Sequence, residues 1–424
     1  MTFAIAGILL NLAVDPVDVN EVALWNSTLI DFTRLGSAPP PYMSRNMALL
    51  SIAQFDALNA ISGNFKPYKY SPNHKSPAAS ERAATLSASV TVLREISNSR
   101  RSSYALYLKR TLDELGTSQA VKDGLRIGEE SAKAILEARR FDGTYLSEGM
   151  NPVSDLIGLY RESARADVKP STPHWGKVTT FCLAKCDEFR PSKIDLGSKT
   201  YLDAFNEVKE VGGKKSIRRT ADGTESAKFW AFGGGTITPP GAWNQIATNI
   251  ILNKKLSLLE SARTFALLNI ALADASIAAW ECKYTYNFWR PDAAINNGDN
   301  DGNPDTSGDP SWQPLLSTPN HPSYVSGHST FSSAGATILT SLFGENVGFT
   351  YKGDPHFVVK PRTFKNFWQA AEEAGQSRIY GGIHFQFDNQ AGLKLGKTIA
   401  QEVLGMELKP LALINPSSGK LFSR

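Results

Sequence analysis

Several side chains in the last third of the chain are of the types that bind and activate an oxyanion. They lie in three stretches: Lys283 and Arg290; Ser326, Gly327 and His328; and Arg378, His384 and Asp388. Ammonium and guanidinium groups, a hydroxyl, a backbone N–H and two imidazoles, one of them near a carboxylate, suit a tetrahedral or trigonal-bipyramidal oxyanion. Phosphate is such an ion, and so is vanadate in its place. One histidine would bind the central atom apically, and the other would serve as an acid–base opposite it.

The stretch Ser326-Gly327-His328 stands between a loop rich in Gly, Asp and Pro (298–322) and a predicted helix that ends near Gly344. Apolar residues at helical spacing from Phe331 to Leu342 indicate that helix. At the start of a helix, free backbone N–H groups and the positive end of the macrodipole favour an anion. The alternative is that Ser326 only caps the helix.

Lys283 and Arg290 are seven residues apart at the end of a predicted Ala-rich helix over 256–286. Seven helical positions return to nearly the same face, about 20° off. Pro291 disfavours helix at Arg290, so we expect the arginine to terminate the element and to point off its end. Aromatic neighbours make the surroundings apolar, and cations in apolar surroundings need an anion. The alternative is a solvated basic stripe.

The third stretch joins Arg378 to His384 through a pair of glycines. On an unbroken helix these two side chains would stand about 120° apart. Gly381-Gly382 is predicted to break the helix and to let His384 turn back toward Arg378. Asp388, four residues beyond His384, can accept a hydrogen bond from one imidazole nitrogen and leave the other as a nucleophile or ligand. The alternative is two neighbouring polar turns.

The motifs Lys-x6-Arg-Pro, Ser-Gly-His and Ser-Arg-x5-His-x3-Asp, in this order, resemble those of the type 2 phosphatidic acid phosphatase superfamily. Its members include bacterial acid phosphatases, membrane lipid phosphatases and vanadium-dependent haloperoxidases. The motif resemblance covers about residues 280–390, and Val325 stands where the family has proline. Within the superfamily the chain looks like a vanadium haloperoxidase. A large helical half precedes the motifs, and the run from Phe229-Trp230 to Trp243-Asn244 is similar to that of bacterial members.

This resemblance implies a vanadate cofactor, with hydrogen peroxide, a halide ion and a small organic acceptor as the other reactants. The residues implied to hold the vanadate are Lys283, Arg290, Ser326, Gly327 and Arg378, with Asp388 behind His384. His384 is implied to bind vanadium, His328 to be the acid–base, and Lys283 to polarise peroxide. Two rival functions remain open. One is an acid phosphatase with His384 as nucleophile, and the other is a helical scaffold that binds an oxyanion without turnover.

His321 lies five residues before the motif serine, a position that faces the halide side of the site in the family. It is often aromatic in chloroperoxidases and histidine in algal bromoperoxidases, so His321 resembles the algal form. An imidazole there is expected to titrate near neutral pH and to alter halide binding and proton supply. We therefore predict oxidation of bromide and iodide, with weak or no oxidation of chloride near neutral pH. The alternative is that His321 only caps the turn before Pro322.

The composition bounds the class of protein. A chain of 424 residues can bury one large core or two to three smaller ones, and 42% apolar with 20% charged residues is typical of a globular protein. The net charge is +4 and no Lys/Arg block is present, which argues against a nucleic-acid surface. The three cysteines, Cys182, Cys186 and Cys282, are too few for a disulfide framework and lack a zinc-site partner pair.

The N-terminal run Met1 to Val14 is apolar but has no basic region and no clear cleavage site, so we expect a first packed segment rather than a signal peptide. This slightly favours a cytoplasmic location. The run from Phe265 to Trp280 is too short and too polar for a membrane span. Whether the chain is a monomer or a homo-oligomer is left open.

Helical periodicity without convincing strand alternation predicts an all-α fold. Predicted helices cover 20–36, 44–62, 79–97, 102–115, 118–139, 200–211, 224–233, 243–252 and 256–286. Ser44 is a predicted N-cap and Gly63 a predicted stop, whereas Pro239-Pro240-Gly241 should break the chain between helices. An irregular connection over 150–200 suggests a scaffold half, 1–199, and a half that carries the site, 200–424, within one continuous domain.

The loop Asn297-x-Asp299-x-Asp301-Gly302 matches the opening of a calcium-binding EF-hand loop, but its twelfth position is Gly308 rather than Glu. We expect a solvated loop near the mouth of the site, with calcium binding as the alternative.

Overall fold

The structure, a computed structural model, describes residues 20–97, 101–146, 154–160, 169–354 and 359–411, so the predicted packed segment over 1–14 lies outside the described residues. The described elements are α1 (Glu21–Leu35), α2 (Pro40–Ser62), α3 (Glu81–Ile96), α4 (Arg101–Leu115), α5 (Gln119–Ala138), α6 (Lys199–Gly212), α7 (Ala221–Phe229), α8 (Thr238–Lys254), α9 (Leu258–Tyr286), α10 (Pro291–Asn296), α11 (Gly327–Phe343), β1 (Phe349–Tyr351), β2 (Arg362–Phe364), α12 (Phe367–Tyr380) and α13 (Gln386–Met406). The fold is therefore all-α, as predicted, with one short antiparallel hairpin formed by β1 and β2.

Helix α9 is the centre of the molecule. Ser257 and Glu260 form a capping box at its start, and nearly every later residue as far as Lys283 is buried. Its alanines let neighbouring helices approach closely, and it packs against α2 on one side and α11 and α13 on the other. The helix is long and apolar enough to cross a membrane by composition alone (mean hydropathy 1.4), but 94% of that window is buried within the fold. Such burial is that of a core helix.

Two buried carboxylates fasten loops onto this core. Asp56 on α2 accepts the backbone N–H groups of residues 68–70, and Asp274 on α9 accepts those of residues 181–183. Three amide donors satisfy each carboxylate in the absence of water. Burial nonetheless raises the pKa of both side chains to about 6. Asp56 therefore has a role in packing.

Helices α11 and α13 meet at an unusually short distance because glycine lies where they cross. A Cβ atom at Gly392 would stand 2.7 Å from the Ser326 carbonyl oxygen, and one at Gly396 would stand 2.0 Å from that of Thr330. No side chain fits there. This contact seats the first turn of α11 against the helix that follows His384.

Several predicted boundaries are confirmed and others are wrong. Gly63 ends α2 in the left-handed conformation and Gly344 ends α11. Ser44 is not an N-cap, because α2 begins at Pro40, where a missing N–H costs nothing. For the same reason Pro239-Pro240-Gly241 forms the first turn of α8 instead of a break. The division into halves at 199/200 stays a prediction.

The acidic loop is less solvated than predicted. Asp301 is buried; one of its carboxylate oxygens accepts from the backbone of Asn303 and from Thr306, and the other accepts from the Tyr201 hydroxyl. A carboxylate oxygen of Asp299 likewise accepts a hydrogen bond from the backbone N–H of Gly308. In the described parts of the chain, no group of three or more His, Cys, Asp or Glu is arranged to hold a metal ion.

Candidate oxyanion site

The end of α9 places the first two basic residues. The helix stops at Tyr286 because Asn287 adopts the left-handed conformation (φ 49°), and Arg290 follows in extended backbone as the N-cap of α10. The predicted shared helix face for Lys283 and Arg290 is therefore wrong, since only Lys283 is helical. The expectation that Arg290 points off the end of the element is met, and the turn brings both side chains to one site.

Lys283 is completely buried, and its Nζ atom donates to the carbonyl oxygens of Pro322 and Ser323, both at 2.8 Å. An ammonium group has three N–H donors, so one remains for a ligand. Burial, and then the neighbouring charge of Arg290, holds the pKa of Lys283 well below its usual value. An anion beside Lys283 would reverse this effect.

Arg290 is held by acceptors on two loops. Its Nε donates to the carbonyl oxygen of His321 at 2.8 Å and its Nη1 to that of Ile383 at 2.7 Å. The same guanidinium lies 3.1 Å from His384 Nε2 and 2.9 Å from His321 Nδ1. Burial lowers the pKa of Arg290 to about 10, so the group remains charged near neutral pH.

His384 is oriented by the predicted carboxylate. Its Nδ1 lies 2.7 Å from Asp388 Oδ2, and the hydroxyl of Ser323 donates to the same oxygen. A proton on Nδ1 bonded to Asp388 leaves a lone pair on Nε2, which accepts from Arg290 and can serve as a metal ligand. The turn at Gly381-Gly382, with Gly382 at φ 74°, brings His384 back to the site as predicted.

The start of α11 forms the floor. Ser326 is the N-cap, and its Oγ accepts from the backbone N–H of Ser329 at 3.3 Å and from the Ser329 hydroxyl at 2.9 Å. Gly327 and His328 line the cavity of the site. The capping role of Ser326, given as the alternative, is therefore present, while its own hydroxyl hydrogen is still available to a neighbour.

Arg378 comes from the last turn of α12. Its Nε donates to Ser377 Oγ at 2.9 Å and its Nη2 to the carbonyl oxygen of Ala227 at 2.8 Å. Its Nη1 is buried and has no partner among the described residues. Burial alone lowers the pKa of Arg378 to about 9.

His328, like Arg378, uses only part of its hydrogen-bonding capacity. Its Nε2 is buried without a partner among the described residues, and the carbonyl groups of Trp230 and Ala231 lie against its ring. Burial, followed by the charge of Arg378, holds the pKa of His328 well below its usual value. A neutral ring with a free nitrogen is able to take up a proton from a reactant.

His321 packs on the Trp280 ring with centroids 5.2 Å apart. Burial and the charges of Lys283 and Arg290 hold its pKa well below the usual value. The prediction that His321 titrates near neutral pH is therefore wrong for the protein alone, because two cations face this imidazole. Its position at the cavity wall stays as predicted.

The site falls into two sides. The anchored side consists of Lys283, Arg290, Ser323, His384 and Asp388, whose polar atoms bond mainly to one another and to carbonyl groups. The open side consists of Gly327, His328 and Arg378, and it keeps buried nitrogen atoms without partners. Among the described residues, the buried side chains of Lys283, Arg290 and Arg378 share the floor of the site with one carboxylate, Asp388, while Asp292 and Asp354 line the cavity. The excess positive charge and the free donors fit a multiply charged oxyanion.

A cavity of about 1200 Å³ leads from this floor to the surface. Its inner end contacts His321, His328, Arg378 and His384, and its walls include Phe232, Leu315, Leu316 and Phe331. Lys214 and Lys228 also line it, and both are exposed. The cavity therefore combines a basic floor with largely apolar walls.

Sequence reasoning missed three contributors. Ser323 bonds to Asp388 and presents a carbonyl oxygen to Lys283, and its place beside His321 in the motif could have signalled a role. The carbonyl of Ala227 and the indole of Trp230, at the end of α7, also support the site. The carbonyl leaves no mark in residue type, and Trp230 was noted only as part of the run that is similar to bacterial members.

The fold is all-α, and it brings the predicted basic side chains together in one buried candidate oxyanion site. The last part of the chain, residues 263–411, matches the family model of the VCPO second helical-bundle domain. Among solved structures, the first bacterial vanadium-dependent iodoperoxidase matches with a TM-score of 0.79 and 25% identity, over 92% of this chain and 96% of that one. A holo-type bacterial vanadium-dependent chloroperoxidase matches in fold with a TM-score of 0.69 and 15% identity, over 86% and 92%.

Two further relatives are named as vanadium-dependent peroxidases. Vanadium chloroperoxidase from Curvularia inaequalis is 27% identical over 285 residues, which is 52% of this chain and 46% of that protein. Vanadium-dependent bromoperoxidase from Ascophyllum nodosum is 34% identical over 118 residues, 25% of this chain and 21% of that protein. The matches thus span less than half the length of these relatives. The resemblance to vanadium-dependent haloperoxidases predicted from the motifs is confirmed.

Proposed function

We propose that this protein is a vanadate-dependent haloperoxidase that oxidises bromide and iodide with hydrogen peroxide and halogenates a small organic acceptor. The observation that carries the proposal is the charge and donor pattern of the site. Lys283, Arg290 and Arg378 are buried at the floor of the site with Asp388 as its carboxylate. Buried nitrogens of Arg378 and His328 have no partner among the described residues and are placed to meet a ligand. The similarity to a bacterial iodoperoxidase over nearly the whole chain supports the same conclusion.

The residues present fit vanadate. Lys283, Arg290, Arg378, Ser326 and the amide of Gly327 would hold its oxygens, and His384 Nε2 would bind the metal, with Arg290 donating to vanadate oxygen instead of to this nitrogen. When bound, vanadate supplies a Lewis acid that activates hydrogen peroxide toward a halide without a change in oxidation state.

The protein's own groups handle the protons and charge. Asp388 keeps the His384 proton on Nδ1 and thus keeps Nε2 available. His328 Nε2 takes a proton from incoming peroxide and returns it to the departing product. Two N–H groups of Lys283 donate to carbonyl oxygens. The third N–H polarises the peroxide oxygen that the halide attacks.

The halide preference rests on His321. This imidazole stacks on Trp280 and accepts a hydrogen bond from Arg290, so it lies beside the basic floor. We propose that it favours bromide and iodide over chloride. Relatives named for chloride, bromide and iodide all match this chain, so the preference must be measured.

The cavity supports an organic acceptor near the site. Peroxide and halide need far less room than about 1200 Å³, and cavities of this order accommodate drug-sized ligands. Its apolar walls would exclude water and receive an apolar part of the acceptor.

The test adds orthovanadate to metal-free protein and follows bromination of a dye by hydrogen peroxide. Vanadate-dependent bromination supports the proposal. Absence of bromination, together with phosphate-ester hydrolysis that vanadate inhibits, would instead assign the phosphatase function. Binding of vanadate without either reaction would assign an oxyanion-binding scaffold.

A further inference from the structure

The two basic groups of the open side share one neighbour, the C-terminal end of α7. The Ala227 carbonyl accepts from Arg378 Nη2 at 2.8 Å. One turn later, the carbonyl groups of Trp230 and Ala231 lie against the His328 ring. A nine-residue helix outside the three motifs therefore orients both side chains.

A helix end is suited to this task because it orients a cation without neutralising it. The C-terminus of a helix carries about half a negative charge on its unsatisfied carbonyl groups. A carboxylate at the same place would form a full ion pair with the guanidinium and compete with the oxyanion for it. Here the Arg378 Nη1 and His328 Nε2 atoms keep their hydrogen-bonding capacity.

One side-chain hydrogen bond helps to hold the end of α7 in place. The Trp230 indole N–H donates to Glu373 Oε1 at 2.9 Å. Glu373 lies on α12, the helix that carries Arg378. Arg362 binds both carboxylate oxygens of Glu373, at 2.7 and 2.8 Å, and fixes their direction. Trp230 also packs against the rings of Phe229, Phe232, Tyr351 and Phe364, and Glu373 is the hydrogen-bond acceptor for its indole N–H.

We propose that Glu373 is a positioning residue: through the Trp230 indole it holds the carbonyl groups at the end of α7 against Arg378 and His328. Glu373 does not touch the ligand, and its effect passes through Trp230, whose backbone carbonyl lies against the His328 ring. The inference rests on the proposed function for the reaction, but its effect on oxyanion binding does not need turnover.

The experiment uses the full chain with Glu373→Met and Glu373→Gln. Calorimetry measures the affinity for inorganic phosphate and for orthovanadate, and steady-state kinetics measure kcat and KM for bromide after vanadate loading. Glu373→Met removes the acceptor at similar size and should weaken phosphate binding about 10-fold or more, as for other supporting partners of ligand-binding groups. It should lower kcat with little change in the KM for bromide. Glu373→Gln keeps an oxygen for the indole N–H and should recover affinity to within about 3-fold of wild type.

Lys360→Met is the matched control. It removes the exposed ion pair with Glu225 on the same helix α7 and leaves Trp230 untouched, so affinity and kcat should stay at wild-type values. A folded Glu373→Met protein that binds phosphate within about 2-fold of wild type would overturn the proposal. If this variant does not fold, Trp230→Phe, which removes only the N–H and part of the ring, carries the same expectation and the same contrary result. Absence of bromination by wild type would count against the haloperoxidase assignment alone, because phosphate affinity still decides the role of Glu373.

Discussion

The two sides of the candidate site differ in how their basic groups are satisfied. On the anchored side Arg290 bonds to two carbonyl oxygens and lies near two imidazoles, and Asp388 holds His384 in place. On the open side Arg378 bonds to the Ser377 hydroxyl and the Ala227 carbonyl. Arg378 and His328 each keep a buried nitrogen without a partner among the described residues. The comparison indicates that the groups of the anchored side are already fixed in position before a ligand binds. The open side supplies free donors whose burial is compensated only when an oxyanion arrives.

The largest effect is expected for His384→Ala on the anchored side. Loss of the proposed bond from His384 to vanadium should reduce halide oxidation at least about a thousand-fold, as removal of a central catalytic group does elsewhere. The helical fold is expected to persist. Vanadate retained after dialysis and the circular dichroism spectrum are the measurements. Retention equal to wild type would mean that another group binds the metal.

Arg378→Met tests the open side. A charge-assisted hydrogen bond contributes about 1.5–3 kcal/mol, so phosphate and vanadate should bind roughly 10- to 100-fold more weakly. Without ligand, the variant should be as stable as wild type or more stable, because an unpaired buried cation is replaced by an apolar side chain. Titration calorimetry and thermal unfolding in phosphate-free buffer check both parts. A clear loss of ligand-free stability would show that the bonds to Ser377 and Ala227 outweigh the cost of burying the charge.

Asp388→Asn gives the opposite pattern. Removing the carboxylate leaves Lys283 and Arg290 buried without their counter-charge, which should lower the free energy of unfolding by about 3 kcal/mol. Activity should fall about 10-fold, because the amide still bonds to His384 but orients it less well. Urea unfolding and bromination rates are the measurements. If Asp388→Asn and Arg378→Met changed ligand-free stability alike, the distinction between the two sides would be lost.

The pH dependence of oxyanion binding is the next smaller effect. Burial holds the pKa of His328 well below its usual value, and a bound dianion raises it again. Between these two pKa values the complex carries a proton that the free protein lacks. The affinity for the oxyanion must therefore rise as pH falls. For one proton the rise is less than about tenfold per pH unit. Sulfate, whose charge is constant from pH 8 to 5.5, is the probe, and His328→Gln should flatten the slope. Equal slopes for both proteins would remove His328 from the proton linkage.

The smallest effect is expected for His321→Phe at the border of the two sides. The aromatic ring can keep the stacking on Trp280, but the bond to Arg290 is lost. The ratio of chloride to bromide oxidation should rise a few-fold, about 1 kcal/mol in relative barrier height. The ratio is measured by assaying chloride and bromide oxidation in parallel near neutral pH. Wild-type protein that already chlorinates as well as it brominates would contradict the role of His321 and leave the oxyanion site unaffected.

The sequence by itself determined the element type and much of the site. Apolar spacing over long segments is a local property, so the all-α fold, the long helix before Lys283 and the helix after Ser326 could be predicted. The glycine pair before His384 and the carboxylate after it also act over a few residues. Together they predicted the turn and the Asp388–His384 bond.

Only the tertiary structure decided the rest. Pro239-Pro240-Gly241 is predicted to break the chain, but it lies in the first turn of α8, where a missing N–H is harmless. The low pKa of His321 depends on burial and on two cations that come from elsewhere in the chain. The support of Arg378 and His328 by α7 uses carbonyl groups that every residue possesses. Burial and long-range placement of backbone groups arise from packing, and residue type at one position does not encode them.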